Sequence, residues 1–176
     1  QNDPLGTAHA ILCAEPSLSG HLTVAFADTL FYADFKIDTA RDAIIWTKKI
    51  PDPSAFGVVE TNEQGEVIRL WEKPKEPVSD EAIIGIYYFN DGDWLRRELK
   101  HLIEHDIKVK GEYQLTDALE SMVKQGARIK TASVTHWLDC GNKDATVDTN
   151  KVVLERSRNK PLISPDAQIE NSVIIE

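Results

Sequence analysis

The apolar residues of this chain fall into runs whose spacing predicts alternating helices and strands. The sharpest run is Leu22 to Thr29, LTVAFADT, in which five of the six residues before Asp28 are apolar. Several are β-branched or aromatic, which predicts a buried central strand ending in a carboxylate. Ahead of it, Asp3-Pro4 followed by LGTAHAILCAE predicts a helix, with Asp3 capping free N–H groups and Pro4 at the first helical position. Pro16 and Gly20 close that segment. Between Leu30 and Ile50 the pattern is mixed, with an apolar cluster from Ala43 to Trp46. Gly57 to Glu60 and Val67 to Trp71 predict two strands joined by a Gly-containing hairpin loop at Asn62 to Gly65, the second ended by Pro74 and Pro77. AIIGIYYF, Ala82 to Phe89, is almost continuously apolar and predicts a strand buried on both faces.

Helical spacing follows. Trp94, Leu95, Leu99, Leu102 and Ile103 share one stripe, and Leu115, Ala118, Leu119 and Met122 share another that stops before Gly126. A short strand from Ile129 to Val134 precedes His136-Trp137-Leu138-Asp139-Cys140-Gly141, and Asn142 to Arg158 predicts a third, less regular helix. Helices interleaved with strands predict an α/β protein rather than a β-sandwich. After Pro161 the character changes: Ile163, Ile169 and Ile175 recur at intervals of six, with Ala167 and Val173 repeating in the same way. That interval is the rung of a hexapeptide β-helix. The predicted domains are therefore 1–158 and 159–176.

Composition narrows the classes. The chain has 20 Lys and Arg against 29 Asp and Glu, a formal net charge of −9, so non-specific nucleic-acid binding is not expected. No apolar run approaches the roughly 20 residues needed to span a bilayer. Cys13 and Cys140 have no metal-site spacing, and a reducing cytoplasm is the expected setting. His9 and His136 have no companion at ligand spacing, so no transition metal is expected.

Two carboxylates stand out. Asp28 follows a strand, where an acid either forms a turn or points at a ligand in the crevice beyond the strand ends. Asp139 precedes a helix in the Trp-Leu-Asp-Cys-Gly turn. Magnesium takes oxygen ligands, commonly one or two carboxylates plus substrate phosphates, although spacing does not bring these two together. Lys73, in Glu72-Lys73-Pro74 at a strand end, is either a solvated lysine or a point charge for a phosphate. Gly57 and Gly85 allow either tight packing or close approach of a ligand. Glu112 and Asp117 flank a capped helix start, and Trp137 is either a core residue or a platform for a sugar.

Taken together, these residues resemble the sugar-1-phosphate nucleotidylyltransferase family, most closely its glucose-1-phosphate thymidylyltransferase branch. The matching pieces are Gln1-x4-Gly6-Thr7-Ala8-His9-Ala10, the strand ending in Asp28, Phe56-Gly57-Val58-Val59 and Glu72-Lys73-Pro74. They continue with Ile84-Gly85-Ile86-Tyr87, Gly111-Glu112-Tyr113-Gln114-Leu115-Thr116-Asp117 and Trp137-Leu138-Asp139-Cys140-Gly141. The resemblance implies a Rossmann-like mixed sheet with helices on both faces, followed by the start of a left-handed hexapeptide β-helix. It implies that a sugar 1-phosphate attacks the α-phosphorus of a nucleoside triphosphate and releases pyrophosphate, with dTTP and glucose 1-phosphate as the expected substrates. Asp28 and Asp139 match the family's magnesium ligands, and Lys73 matches its phosphate-holding lysine. Gln1 and Gly6 match the base-reading positions; Gly57, Glu72, Ile83, Tyr87 and Trp137 match the sugar side.

The family's Gly-rich signature loop, which wraps the triphosphate, precedes the first matching motif, so the 176-residue chain alone is expected to be inactive. A homo-oligomer is expected, because stacked β-helix rungs leave faces that need cover. Two rival readings are a uridylyltransferase whose β-helix carries an acyltransferase site and a non-catalytic regulatory subunit. Retention of Asp28, Lys73 and Asp139 argues against the regulatory one.

Overall fold

The computed structural model describes residues 1–33, 36–159, 163 and 166–168. Strands are β1 (Leu22–Ala25), β2 (Thr29–Tyr32), β3 (Ala43–Lys49), β4 (Gly57–Thr61), β5 (Val67–Glu72), β6 (Glu81–Phe89), β7 (Ile129–Ser133) and β8 (His136–Asp139). Helices are α1 (Thr7–Leu12), α2 (Gly92–Glu104), α3 (Leu115–Lys124) and α4 (Lys143–Arg156). The chain divides into two compact units, Gln1–Trp137 and Leu138–Glu176.

The first unit is built around β6. Every residue of this strand after Glu81 is buried, as its unbroken apolar sequence predicts. A six-stranded sheet runs β5-β4-β6-β3-β7, with β1 also on β6. The β3–β7 pair is parallel, and the β6 pairings with β1, β3 and β4 are antiparallel, so the sheet is mixed. The predicted hairpin is present: β4 and β5 pair with Gly57 opposite Glu72, and Asn62 Oδ1 accepts the N–H groups of Gln64 and Glu66 in the turn.

Successive strand residues point to opposite faces, and the core divides accordingly. Ala43, Ile45, Ile83, Tyr87 and Phe89 join Leu95, Leu99, Leu102, Leu115, Leu119 and Met122 in one cluster. Ile44, Trp46, Ile84, Ile86 and Tyr88 form the other, covered by Phe31, Ala33 and Trp137. Within this unit α1, α2 and α3 thus share one face. On the second face Phe31 of β2, with Ala33 and Trp137, packs against the other cluster. β2 pairs with β8, whose first residues, His136 and Trp137, belong to this unit.

Two local expectations are corrected. The Leu22 run is a short strand on the sheet's margin, with β6 its only neighbour among the described residues; its half-buried and exposed residues alternate because Leu22 and Val24 pack on the first cluster while Thr23 and Ala25 face away. The first helix starts at Thr7, with no side-chain cap from Asp3. The backbone just ahead of it is engaged elsewhere: Tyr113 N–H donates to Leu5 O at 2.9 Å and Ala8 N–H donates to Tyr113 O at 3.0 Å. Gly6 lies between them at φ 110° and ψ 175°, a conformation essentially restricted to glycine.

In the second unit, Asn142 caps α4 by accepting the Asp144 and Ala145 N–H groups. The buried Thr149 ties the helix to the preceding strand, its hydroxyl donating to Asp139 O at 2.7 Å. The predicted hexapeptide repeat, Ile163, Ile169 and Ile175 with Ala167 and Val173, falls largely outside the described residues.

Candidate active site

The end of β5 is a closely packed polar corner of the first unit. Glu72 Oε2 accepts the Thr116 hydroxyl from α3 at 2.8 Å, and Lys73 Nζ stands 3.9 Å from Glu72 Oε1. Gly57 faces this pair so closely that a Cβ there would come within 3.1 Å of Thr116 Cγ2, 3.2 Å of Ile83 Cδ1 and 3.3 Å of Glu72 Oε2. The structure therefore gathers Gly57, Glu72, Lys73 and Ile83, four residues singled out from sequence, around Thr116.

Lys73 has φ 45°, uncommon for a residue with a side chain. It is held in place by its backbone. Its N–H donates to Phe56 O at 3.1 Å, and its carbonyl accepts the ammonium of Lys110 at 2.9 Å. Lys110 is itself left-handed, at φ 54° beside Gly111 at φ 86°, in a tight turn closed by reciprocal hydrogen bonds between Val109 and Glu112. Asn or Gly would be favoured there, so a lysine occupies this corner against local preference. Sequence reasoning missed Lys110 because a lysine before a glycine reads as an ordinary turn.

Tyr87 lies one strand away and is only 3% exposed. Burial first and the Glu72 charge second push its hydroxyl pKa up, so it stays a neutral phenol. Asp117 is also perturbed: burial, then the charges of Glu72 and Glu120, raise its carboxyl from 3.8 to about 6, against Lys124. Trp137 packs in the other core cluster, edge-on to Phe56 at 4.8 Å, so it reaches this corner through Phe56 rather than beside Tyr87.

A second region lies between α1 and β1, where a cleft of about 510 Å³ is lined by Thr7, Ala10, Ile11 and the stretch Val24 to Asp28. Gln1 Nε2 donates to Gly6 O at 3.1 Å and lies 2.8 Å from His9 Nδ1, which ties the chain start to the helix entrance. β6 fixes the loop carrying Asp28 on both flanks, through Phe26 N–H to Gly85 O at 2.9 Å and Thr29 Oγ1 to Ile84 O at 3.0 Å. Gly85 is required here, since at φ 82° a Cβ would lie 2.8 Å from Phe26 Cδ2. Asp28 is exposed and has no hydrogen bond or ion pair among the described residues. In the second unit, Asp139 Oδ1 accepts the Gly141 N–H at 2.9 Å.

Hard divalent cations prefer carboxylate oxygen, and both aspartates suit such an ion chemically. Among the described residues, no group of three or more His, Cys, Asp or Glu side chains is placed to hold a metal.

The sheet is mixed, an acid without a partner among the described residues follows one strand, and a conformationally constrained lysine ends another. The chain belongs to the nucleotidyl transferase family, whose sequence model matches residues 1–156. It is 34% identical over 164 residues to a glucose-1-phosphate thymidylyltransferase of Streptomyces antibioticus, covering 88% of this chain and 45% of that protein. It is 29% identical over 184 residues to a bifunctional sugar-1-phosphate nucleotidylyltransferase/acetyltransferase of Sulfurisphaera tokodaii, covering 100% of this chain and 44% of that protein. Among solved structures, a UDP-glucose pyrophosphorylase complexed with UDP-glucose shares the fold, with a TM-score of 0.71 and 22% identity over 88% of this chain and 64% of that one. The chain spans about half the length of the curated relatives it matches. No helix among the described residues is long and apolar enough to cross a membrane.

Proposed function

We propose that the protein transfers a nucleoside monophosphate from a nucleoside triphosphate, dTTP foremost, to a sugar 1-phosphate, glucose 1-phosphate foremost. A phosphate oxygen of the sugar 1-phosphate bonds to the α-phosphorus as the bond to pyrophosphate breaks. The observation that carries this reading is the corner where Glu72, Lys73 and Thr116 meet with the Lys110 ammonium fixed on the Lys73 carbonyl.

Lys73 is the proposed phosphate-holding cation. Lys110, whose ammonium sits on the Lys73 carbonyl, is proposed to add positive charge to the corner and help offset the acceptor's charge as it approaches a second phosphate. Glu72, Gly57, Ile83 and Tyr87 form the proposed sugar side, Glu72 accepting sugar hydroxyls while Thr116 keeps its carboxylate oriented. Trp137 is proposed to complete that side through Phe56. Gln1 and Gly6 are proposed to read the base; the polar anchoring of Gln1 on Gly6 supports them. Asp28 and Asp139, each in its own unit, are the proposed magnesium ligands. Magnesium, when bound, would neutralise phosphate charge and polarise the phosphorus–oxygen bonds. Cytoplasmic location and self-association are proposed with the reading.

The resemblance to the bifunctional Sulfurisphaera protein supports a second reading, in which nucleotidyl transfer is joined to an acetyltransferase. The full-length protein, given magnesium, glucose 1-phosphate and either dTTP or UTP, tests both. Pyrophosphate release with dTTP preferred is expected, and Lys73→Met should raise the KM for glucose 1-phosphate by about tenfold or more. Release favouring UTP, with acetyl transfer from acetyl-CoA to an amino sugar phosphate, selects the second reading. No release with either nucleotide refutes both.

A further inference from the structure

Three carboxylates gather where α3 packs on β5, and two of them are satisfied. Glu72 has the Thr116 hydroxyl at 2.8 Å and Lys73 at 3.9 Å. Glu120 Oε2 accepts the Leu70 N–H at 2.8 Å, and its Oε1 lies 3.4 Å from Lys124. The third is Asp117, the residue after Thr116, whose Oδ2 is buried with no hydrogen-bond partner among the described residues. A buried carboxylate oxygen without a donor is costly when ionised and far less so when the group carries a proton. The charges acting on this carboxyl are Glu72 from β5 and Glu120 from its own helix, both favouring the proton, with Lys124 opposing them.

We propose that Asp117 is a positioning residue of the sugar-phosphate pocket, its unpaired buried oxygen setting, by its protonation, the charge that Glu72 and Lys73 present to the phosphate. The inference rests on the sugar 1-phosphate reading above. Asp117 acts through Glu72 rather than on the substrate. With a proton on Asp117, Glu72 is the one ion-pair partner of Lys73 among the described residues, and more of the lysine's field reaches the phosphate. When that proton passes to solvent, a second negative charge adds to that of Glu72 and opposes phosphate binding. Tyr87 stays neutral throughout, so it does not share in this titration.

The test compares the KM for glucose 1-phosphate of the full-length protein and its Asp117→Asn variant from pH 5 to pH 8. Asparagine keeps the shape but cannot ionise, and the substrate's own phosphate titration is common to both proteins and cancels in their ratio. The wild-type KM divided by the variant KM should rise roughly threefold or more across this range, while the ratio of kcat values stays flat. A KM ratio that does not change with pH overturns the proposal. A second measurement needs no variant: the carboxyl ¹³C shift of Asp117 is followed against pH in the wild-type protein. Adding glucose 1-phosphate should move its midpoint up by about half a pH unit or more, since a nearby phosphate favours the proton. An unmoved midpoint with the sugar phosphate bound overturns the proposal, even if Asp117→Asn fails to fold. Failure of glucose 1-phosphate to bind at any pH overturns the pocket reading itself, and this inference with it.

Discussion

Substituting Gly6 tests both the fold and the proposed base site. A Cβ at this position would lie 2.4 Å from Tyr113 O and 2.8 Å from Tyr113 N, closer than nonbonded atoms approach. These are backbone atoms, so no side-chain rotation relieves the overlap. The φ of 110° with ψ of 175° adds a conformational penalty of about 1–3 kcal/mol for any residue with a Cβ. Relief requires the two segments to separate, which breaks the Tyr113–Leu5 and Ala8–Tyr113 hydrogen bonds of 2.9 and 3.0 Å. Each such bond contributes about 0.5–1.5 kcal/mol net. Gly6→Ala should therefore destabilise the protein by about 4 kcal/mol, within a factor of two. Urea unfolding monitored by tryptophan fluorescence gives the loss, and amide exchange at Ala8 and Tyr113 localises it. The Gln1 amide contact with Gly6 O should loosen too, so nucleotide binding weakens along with stability. A loss below about 1 kcal/mol, with both amides still protected, would refute the claim that the Tyr113 backbone dictates glycine here.

Other substitutions probe separate parts of the molecule. Leu119 is fully buried between α3 and the sheet, and Leu119→Ala should cost about 2–5 kcal/mol in urea unfolding. Asp117, raised from 3.8 to about 6, favours its neutral form in the folded state, so its stabilising contribution is complete below pH 3.8 and lost as pH rises through 6. The full shift corresponds to about 3 kcal/mol, and partial contact with water reduces this to on the order of 1 kcal/mol. Asp117→Asn should remove that slope in unfolding experiments between pH 4 and pH 7, and a slope identical to wild type counts against it. Asp28→Asn in the full-length protein should abolish most turnover at limiting magnesium with urea stability unchanged, because the side chain is exposed and unpaired among the described residues. Wild-type turnover there would remove Asp28 from the metal proposal.

Where a segment's own residues determine its environment, its sequence pattern predicted it. β6 is apolar at nearly every position and is buried on both faces. The stripes of α2 and α3 and the Asn62–Gly65 turn are equally local, and all are present. The misreadings came from distant partners. The polar half of β3 hides a central strand because its buried Thr47 donates to Glu81 at 2.6 Å on β6, a bond no local window contains. The Leu22 run looks like a buried central strand, yet it has one strand neighbour among the described residues and only its Leu22 and Val24 face is covered. The Asp3-Pro4 cap is sound local chemistry, overridden by the pairing of Leu5 and Ala8 with Tyr113 more than 100 residues away.

The same distinction governs the site. Glu72-Lys73-Pro74 was visible as a motif, but its value lies in what surrounds it: Phe56 gripping the Lys73 N–H, Lys110 gripping its carbonyl and Thr116 turning Glu72. Lys73 and Lys110 are 37 positions apart, and both adopt backbone conformations that side chains disfavour. Two lysines kept in left-handed conformations and joined through one carbonyl are hard to explain by stability alone, because glycine or asparagine would relieve strain at either position. Such replacements would forfeit side-chain charge and, at Lys110, the hydrogen bond to the Lys73 carbonyl. Lysines kept at this corner at a conformational cost, in a chain of formal net charge −9, are in keeping with the sugar-phosphate site proposed there.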